Sequence, residues 1–241
     1  DDATRHEAYS RLLTHEIDIS NLGLTDQRLA RMLFFSLYPS AGPSSYDEGL
    51  SQARQEQYVV SEARAIVDIG FDTARHTAVA FDQELSDVPL RIHAHYQREE
   101  ILAAVDYASL SRKPTSVMQG VAYSEATNTD LLFVTLKKSE ADFSPTTMYR
   151  DYPIDAQTFH WESQSTTSVA SPTGQRYLTG TSTVLLFVRS EQKDEFGTAP
   201  YLCLGRAFYR AHEGERPIAI TWSLEHAMPS DFLGQALLSA M

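Results

Sequence analysis

The sequence has 241 residues, of which 42% are hydrophobic and 22% are charged, so it can bury at least one sizeable core. Its formal net charge of −12 argues against broad, sequence-independent binding to nucleic acid. The apolar runs are too short to predict a membrane span, and no signal peptide for secretion is visible. The single cysteine, Cys203, excludes an internal disulfide. These features are typical of a cytoplasmic protein.

The first third of the chain carries apolar residues at helical spacing. Thr25 is placed to cap one helix, and Ser45 with Glu48 forms a capping box before a long helix that ends near Gly70. Strand signals and catalytic groupings are not apparent here. The pattern therefore predicts a small helical bundle or linker over residues 1–87.

The periodicity changes from helical to alternating near Pro89. Residues 90–96 alternate as one strand, residues 98–105 predict a short helix, and the apolar run 184–188 predicts a buried strand. Ser171 to Gly174 are interpreted as a turn. We therefore predict the α+β class, in which the helical bundle is followed by a mostly antiparallel curled sheet or barrel.

Three segments follow from these patterns. Residues 1–87 are predicted to form the helical bundle or linker, residues 88–226 the β-rich recognition domain, and residues 227–241 a C-terminal tail or short helix. Because the chain begins at Asp1 rather than methionine, we expect it to be a piece of a longer protein.

A polar stretch rich in aromatic residues follows the predicted strand that begins at Leu131. Aromatic rings stack on unpaired bases, amides read base edges and cations bind phosphates, so these residue types favour nucleic-acid recognition. The residues that we assign to such a surface are Lys137, Lys138, Tyr149, Arg150, Tyr152, His160, Trp161, Gln164, Ser165, Arg176 and Tyr177. The alternative is that most of the rings fill a core.

Trp161 is the central residue of this hypothesis. A strand would place Phe159 and Trp161 on one side and His160 and Glu162 on the other, so that one side can stack on a base. If Trp161 instead belongs to the core, its replacement should cost stability rather than affinity.

Metal-dependent cleavage has weaker support. His93 and His95 on one strand are a possible pair of metal ligands, and Asp130 with Lys137 loosely resembles a nuclease arrangement, but Thr135 stands where its second carboxylate should be. The sequence also has no Gly-rich phosphate loop with a following lysine and no Gly-x-Ser-x-Gly elbow. We therefore expect no catalytic residue, metal or cofactor.

Several long motifs resemble a known family. They are LRIHAHYQREEILAAV, DLLFVTLKKSEADFSPTTMYRDYPID, FHWESQSTTSVASPTGQRYL, VLLFVR and YLCLGRAFYRAHEGERPIAITWSLE. Together, over about residues 88–226, they resemble an uncharacterised domain at the C-terminal end of bacterial superfamily-two DEAD/DEAH-type helicases, many of which begin with a phospholipase-D-like nuclease. The resemblance implies a restriction or phage-defence protein with nuclease or helicase domains as partners, and it supplies no assigned catalytic residues.

Three functions remain open at this point. The first is a non-catalytic DNA-recognition module, including a reader of modified DNA, with a PUA-like or SRA-like barrel expected by analogy of architecture only. The second is a metal-dependent nuclease that uses His93, His95 and Asp130. The third is a docking domain that joins helicase and nuclease. No membrane partner is expected.

Overall fold

The computed structural model describes residues 2–72, 77–116, 120–137, 151–195 and 197–239. The chain divides into two compact units. Unit 1 comprises Asp1–Gln119 and Ser124–Thr127, and unit 2 comprises Gly120–Tyr123 and Asn128–Met241. Within the described ranges, every helix is too short or too polar to cross a membrane.

Unit 1 is mainly helical, as the spacing of its apolar residues predicts. Its helices are α1 (Ala3–Thr14), α2 (Leu24–Leu37), α3 (Tyr46–Gln55), α4 (Gln57–Asp72) and α5 (Arg98–Ala104). The Ser45 side chain accepts the backbone N–H of Glu48 at the start of α3, which confirms the predicted cap. The reciprocal bond of the predicted capping box differs, because the Glu48 carboxylate accepts the backbone N–H of Ser44. Leu12 and Leu13 of α1 and Leu29 and Leu33 of α2 are buried, so the apolar stripes form a core.

Two helix boundaries differ from the prediction. Thr25 lies inside α2, whose N-cap is Gly23. The long helix predicted to reach Gly70 is interrupted at Glu56, which has an extended backbone between α3 and α4. The helical spacing of apolar residues continues across this break, because α1 packs against both α3 and α4. The spacing therefore gave no sign of two separate helices.

A buried carboxylate joins α5 to α1. Glu100 is buried, and it accepts hydrogen bonds from the Arg5 guanidinium at 3.1 Å, the Tyr9 hydroxyl at 2.8 Å and the Gln97 backbone N–H at 2.9 Å. These donors offset the cost of removing the charge from water. Glu100 therefore serves the packing of unit 1.

The segment predicted as one strand over residues 90–96 is divided in two. Its parts are β2 (Arg91–Ile92) and β3 (His95–Tyr96), and β2 pairs with β1 (Val79–Ala80). His93 lies between them with a φ of +69°, a left-handed conformation that ends the alternation of an extended chain. The prediction that His93 and His95 point to one face of a single strand is therefore wrong.

Unit 2 is built on an open, mixed sheet. Its strands are β4 (Val121–Ser124), β5 (Thr129–Thr135), β6 (Tyr152–Asp155), β7 (Thr158–Glu162), β8 (Thr183–Arg189), β9 (Lys193–Asp194), β10 (Gly197–Thr198), β11 (Tyr201–Glu213) and β12 (Ala219–Leu224). The main sheet has the order β4-β5-β8-β11-β12-β7-β6, and β9 and β10 form a separate hairpin.

The α+β class is confirmed, whereas closure into a barrel is wrong. In the described part of the chain, β4 and β6 stand at opposite ends of the strand order, so the sheet has two edges. The pairings β6–β7, β7–β12, β12–β11 and β11–β8 are antiparallel, as expected, but β5 and β8 are parallel. A parallel pair needs a long connection, and the chain between β5 and β8 carries β6, β7 and a helix at Pro172–Thr179.

Two helices contribute to the core on one face of this sheet. They are α6 (Pro172–Thr179) and α7 (Ser230–Ser239). Tyr177 of α6 and Phe232 of α7 join Phe159, Trp161 and Trp222 of the sheet in one buried cluster. We call this the inner face, and we call the opposite side of β6, β7 and β12 the outer face.

The predicted turn at Ser171 to Gly174 is instead the start of α6. The Ser171 hydroxyl accepts the backbone N–H of Gly174, and Pro172 stands in the first turn, where its missing N–H costs nothing. Glycine is required at position 174 because a Cβ there would overlap the Ser168 carbonyl oxygen. The helix therefore begins with its first turn close against the preceding loop.

Cys203 on β11 is fully buried, and this gives a test of the sheet. Burial raises the pKa of its thiol to about 12 from the ordinary 9.0, which lowers the thiolate fraction roughly a thousandfold at neutral pH. We expect a thiol-specific disulfide reagent at pH 8 to leave the native protein unmodified and to label one thiol per chain in 6 M guanidinium. Complete labelling of native protein within minutes would show that β11 is open to solvent.

Candidate functional site

The structure places the eleven residues predicted to bind DNA in very different surroundings. Lys138, Tyr149 and Arg150 lie outside the described residues. Lys137 is exposed and pairs with Glu191 at 2.8 Å. The other seven lie on β6 and β7, in the loop after β7, and on α6.

Trp161 and Tyr177 lie in the core of unit 2. Trp161 is 4% exposed and Tyr177 is 2% exposed, and their rings meet edge to face with centroids 5.5 Å apart. Burial, with a smaller effect of the Asp130 carboxylate, raises the pKa of the Tyr177 hydroxyl well above its ordinary value. These two side chains therefore support the sheet from its inner face and offer no ring to a ligand in this conformation.

Arg176 holds a buried carboxylate. Its guanidinium donates two hydrogen bonds to Asp130, at 2.9 and 3.0 Å, and the Ser182 hydroxyl donates a third at 2.6 Å. The guanidinium carbon also lies 4.0 Å from the centroid of the Tyr123 ring. The hydrogen bonds from Arg176 to Asp130 raise the pKa of Arg176 and fix the planar group, so Arg176 links α6 to β5.

Gln164 and Ser165 begin the loop between β7 and α6. The backbone N–H of Thr167 donates to the Gln164 carbonyl oxygen at 2.8 Å, which closes a turn. Ser165 is exposed, and its carbonyl oxygen accepts a hydrogen bond from Arg216 Nε at 3.1 Å. This loop thus lies at the end of the sheet where β7 finishes, beside the β11–β12 hairpin that carries Arg216.

Tyr152 and His160 form the most accessible aromatic feature of the predicted set. They are direct partners in the β6–β7 register, and their rings stack with centroids 4.8 Å apart and planes 25° apart. Tyr152 is 37% exposed and His160 is half-buried. Because Phe159 and Trp161 point into the core, His160 and its partner Tyr152 lie on the outer face.

The neighbouring strand leaves this ring pair uncovered. His160 is opposite Thr221 of β12, and the adjoining outward positions on that strand are Ala219 and Ser223. All three side chains are small and half-buried, so none rises over the imidazole. The outer face therefore presents a partly aromatic surface here, which we call the Tyr152–His160 platform.

The described part of the chain contains no assembled metal site for the alternative function, a metal-dependent nuclease. Within these residues, no three His, Cys, Asp or Glu side chains are grouped as metal ligands. The Asp130 carboxylate already accepts three hydrogen bonds from Arg176 and Ser182. A metal at Asp130 would have to displace the guanidinium that now neutralises it.

The docking alternative has one observation in its favour. On α4, Tyr58 is 86% exposed, Ile66 68% and Ile69 62%. Exposed apolar groups along a helix are typical of a surface that another chain covers. Among the described residues, nothing indicates what would cover α4.

Comparison with known proteins identifies the family. No curated protein matches the sequence. A family model described as Domain of unknown function (DUF3427) matches residues 90–235, which is more than half of the chain and includes the whole outer face. The match confirms the resemblance to an uncharacterised domain. The chain belongs to the family described as Domain of unknown function (DUF3427).

Proposed function

We propose that this protein is a non-catalytic nucleic-acid recognition module whose ligand stacks on the Tyr152–His160 platform. We further propose that it serves a bacterial restriction or phage-defence nuclease or helicase in the cytoplasm, with the other domains of that protein as partners. The resemblance of the motifs between residues 88 and 226 supports this setting. The residues of the platform support the chemistry.

One observation carries the proposal, namely a stacked and partly exposed ring pair on the outer face of the sheet. An aromatic ring in this position can accept a base on its free side, and such stacking contributes roughly 1–3 kcal/mol per base. A cross-strand pair that only stabilised the sheet would contribute about 0.2–1 kcal/mol to folding. The two roles therefore predict effects on different measurements, affinity in one case and stability in the other.

The acidic composition narrows the class of ligand. With a net charge of −12, the protein lacks the overall positive field that draws duplex DNA to basic proteins. Stacking needs a base with a free ring face, which single strands, loops and extruded nucleotides provide. We therefore expect unpaired bases, including modified ones, to bind better than an intact duplex.

The test ligand is a fluorescein-labelled, single-stranded DNA of 12 nucleotides and mixed sequence. Replacing Tyr152 with alanine is expected to weaken its binding by about one to two orders of magnitude, since roughly 1.4 kcal/mol corresponds to tenfold. Fluorescence anisotropy of the 241-residue protein at constant salt measures the affinity. The melting temperature should change little because Tyr152 lies on an edge strand and is partly exposed.

Two variants control this experiment. Tyr152→Phe keeps the ring and should bind almost as the wild type does. Ile154→Ala removes a side chain of the same edge strand that is 48% exposed but not aromatic, and it should bind normally. Equal affinities for the wild type and Tyr152→Ala would reject the platform as the binding surface.

A further inference from the structure

A bulge in β11 sets one arginine apart from the regular pleat. Tyr209 pairs with Trp222 and Ala211 pairs with Thr221, so Arg210 is an extra residue in the β11–β12 ladder. A bulge of this kind changes the direction of the side chain that it carries, and such bulges are common beside binding sites. The sequence pattern of β11 contains no signal for this extra residue, and Arg210 is absent from the predicted set.

The bulge directs Arg210 across the outer face. Its Nη1 lies 3.4 Å from the Thr158 hydroxyl on β7, two strands away from β11. Thr158 points outward because its neighbour Phe159 points into the core. The intervening position on β12 is Ser223, whose small side chain leaves room for the arginine to pass.

This path brings the guanidinium close to the platform. Thr158 and His160 are two residues apart on one strand, about 7 Å along the same face. A nucleotide whose base stacks on Tyr152 and His160 can place its phosphate across the distance between these rings and the guanidinium. The outer face therefore places a cation at one side of the ring pair.

The guanidinium also has donors available for a ligand. In the described part of the chain, its one hydrogen bond goes to a neutral hydroxyl at the long end of the accepted range, which leaves four of five N–H groups unused. The hydrogen bond from the backbone N–H of Gln157 lowers the pKa of the exposed Asp155 carboxyl, and the charge of Arg210 adds a smaller effect in the same direction. A phosphate would compete with an exposed carboxylate rather than a buried pair.

We propose that Arg210 binds the phosphate adjacent to the base that stacks on the Tyr152–His160 platform. This inference rests on the proposed function and adds the backbone contact that fixes the strand against the rings. A phosphate contact positions the nucleic acid without reading its sequence. Such a contact therefore contributes to the binding affinity in a way that depends on salt concentration and is equal for all base compositions.

The experiment compares Arg210→Ala, Arg210→Lys and wild type with the same labelled single-stranded 12-nucleotide DNA between 50 and 300 mM NaCl. We expect Arg210→Ala to reduce the magnitude of the slope of log affinity against log salt by about 0.7, the value for one phosphate contact on a single strand. Affinity at the lowest salt should fall about three- to tenfold, and equally for thymine-rich and adenine-rich strands. Arg210→Lys should keep the slope.

Arg216→Ala is the matched control because Arg216 is also an exposed arginine near the β11–β12 turn, and its Nε donates to Ser165. It should leave the slope unchanged. An Arg210→Ala slope equal to that of the wild type, with Tyr152→Ala still weakening binding, would overturn the role of Arg210 alone. If the wild type binds no single-stranded DNA, or if Tyr152→Ala binds as the wild type does, the proposed function fails and this inference fails with it.

Discussion

Replacing Trp161 with alanine is expected to lower the free energy of unfolding by roughly 3–5 kcal/mol, because the change leaves a cavity where a large ring was packed. The indole lies on the inner face of the sheet, against Tyr177 of α6 and near Trp222 of β12. Urea unfolding followed by far-ultraviolet circular dichroism measures the loss. The protein that remains folded should bind single-stranded DNA with the affinity of the wild type.

Phe208→Ala is a suitable control for this loss. Phe208 is also an aromatic residue of the sheet, but it is 52% exposed on β11, so its removal should cost less than about 1 kcal/mol. Trp161→Phe keeps a ring in the core and remains measurable if the alanine variant does not fold. If Trp161→Phe has unchanged stability but a tenfold weaker affinity, Trp161 contacts the ligand and the core assignment is wrong.

Replacing Arg176 with methionine should lower the free energy of unfolding at pH 7 by about 3 kcal/mol, because it leaves the buried Asp130 carboxylate without its counter-charge. We expect a value near the lower end of the usual range for a broken buried pair, since the Arg176 side chain is 22% exposed. Ser182 still donates one hydrogen bond to the carboxylate. Urea unfolding again gives the measurement.

The exposed pair between Lys137 and Glu191 gives the matched control. Both side chains are more than half exposed, so Lys137→Met should change stability by less than about 0.5 kcal/mol. The double variant Arg176→Met with Asp130→Leu should recover most of the loss, because it removes the uncompensated charge. Equal losses for Arg176→Met and Lys137→Met would show that the buried pair contributes no more than a surface pair. A loss of DNA affinity at unchanged stability would make Arg176 a ligand contact.

The local elements were predictable because their physics is local. The Ser45 cap involves neighbours along the chain, and the apolar run in β8 indicates a strand with both faces buried. The helix α5 follows from the spacing of its apolar residues. Errors arose where a single backbone conformation interrupts a regular pattern, as at His93 in the left-handed region and at the extended Glu56 between α3 and α4.

The candidate site was only partly predictable. Alternation along β7 correctly separates Phe159 and Trp161 from His160 and Glu162. It cannot say which side is covered, because that depends on α6 and α7, which come later in the chain. The side of β7 that was predicted to stack on a base, which carries Trp161, belongs to the core. The opposite side, where His160 meets Tyr152, forms the accessible surface.

The sequence by itself determined the α+β class, several of the helices and longer strands, and membership of the family. Only the tertiary structure decided that the sheet stays open, that Arg176 pairs with Asp130 46 residues earlier, and that Arg210 lies across the outer face. The physical reason is that propensity, capping and periodicity act over a few residues. Burial of a face and the partner of a charge depend on contacts between segments far apart in the chain, which a pattern of neighbours does not encode.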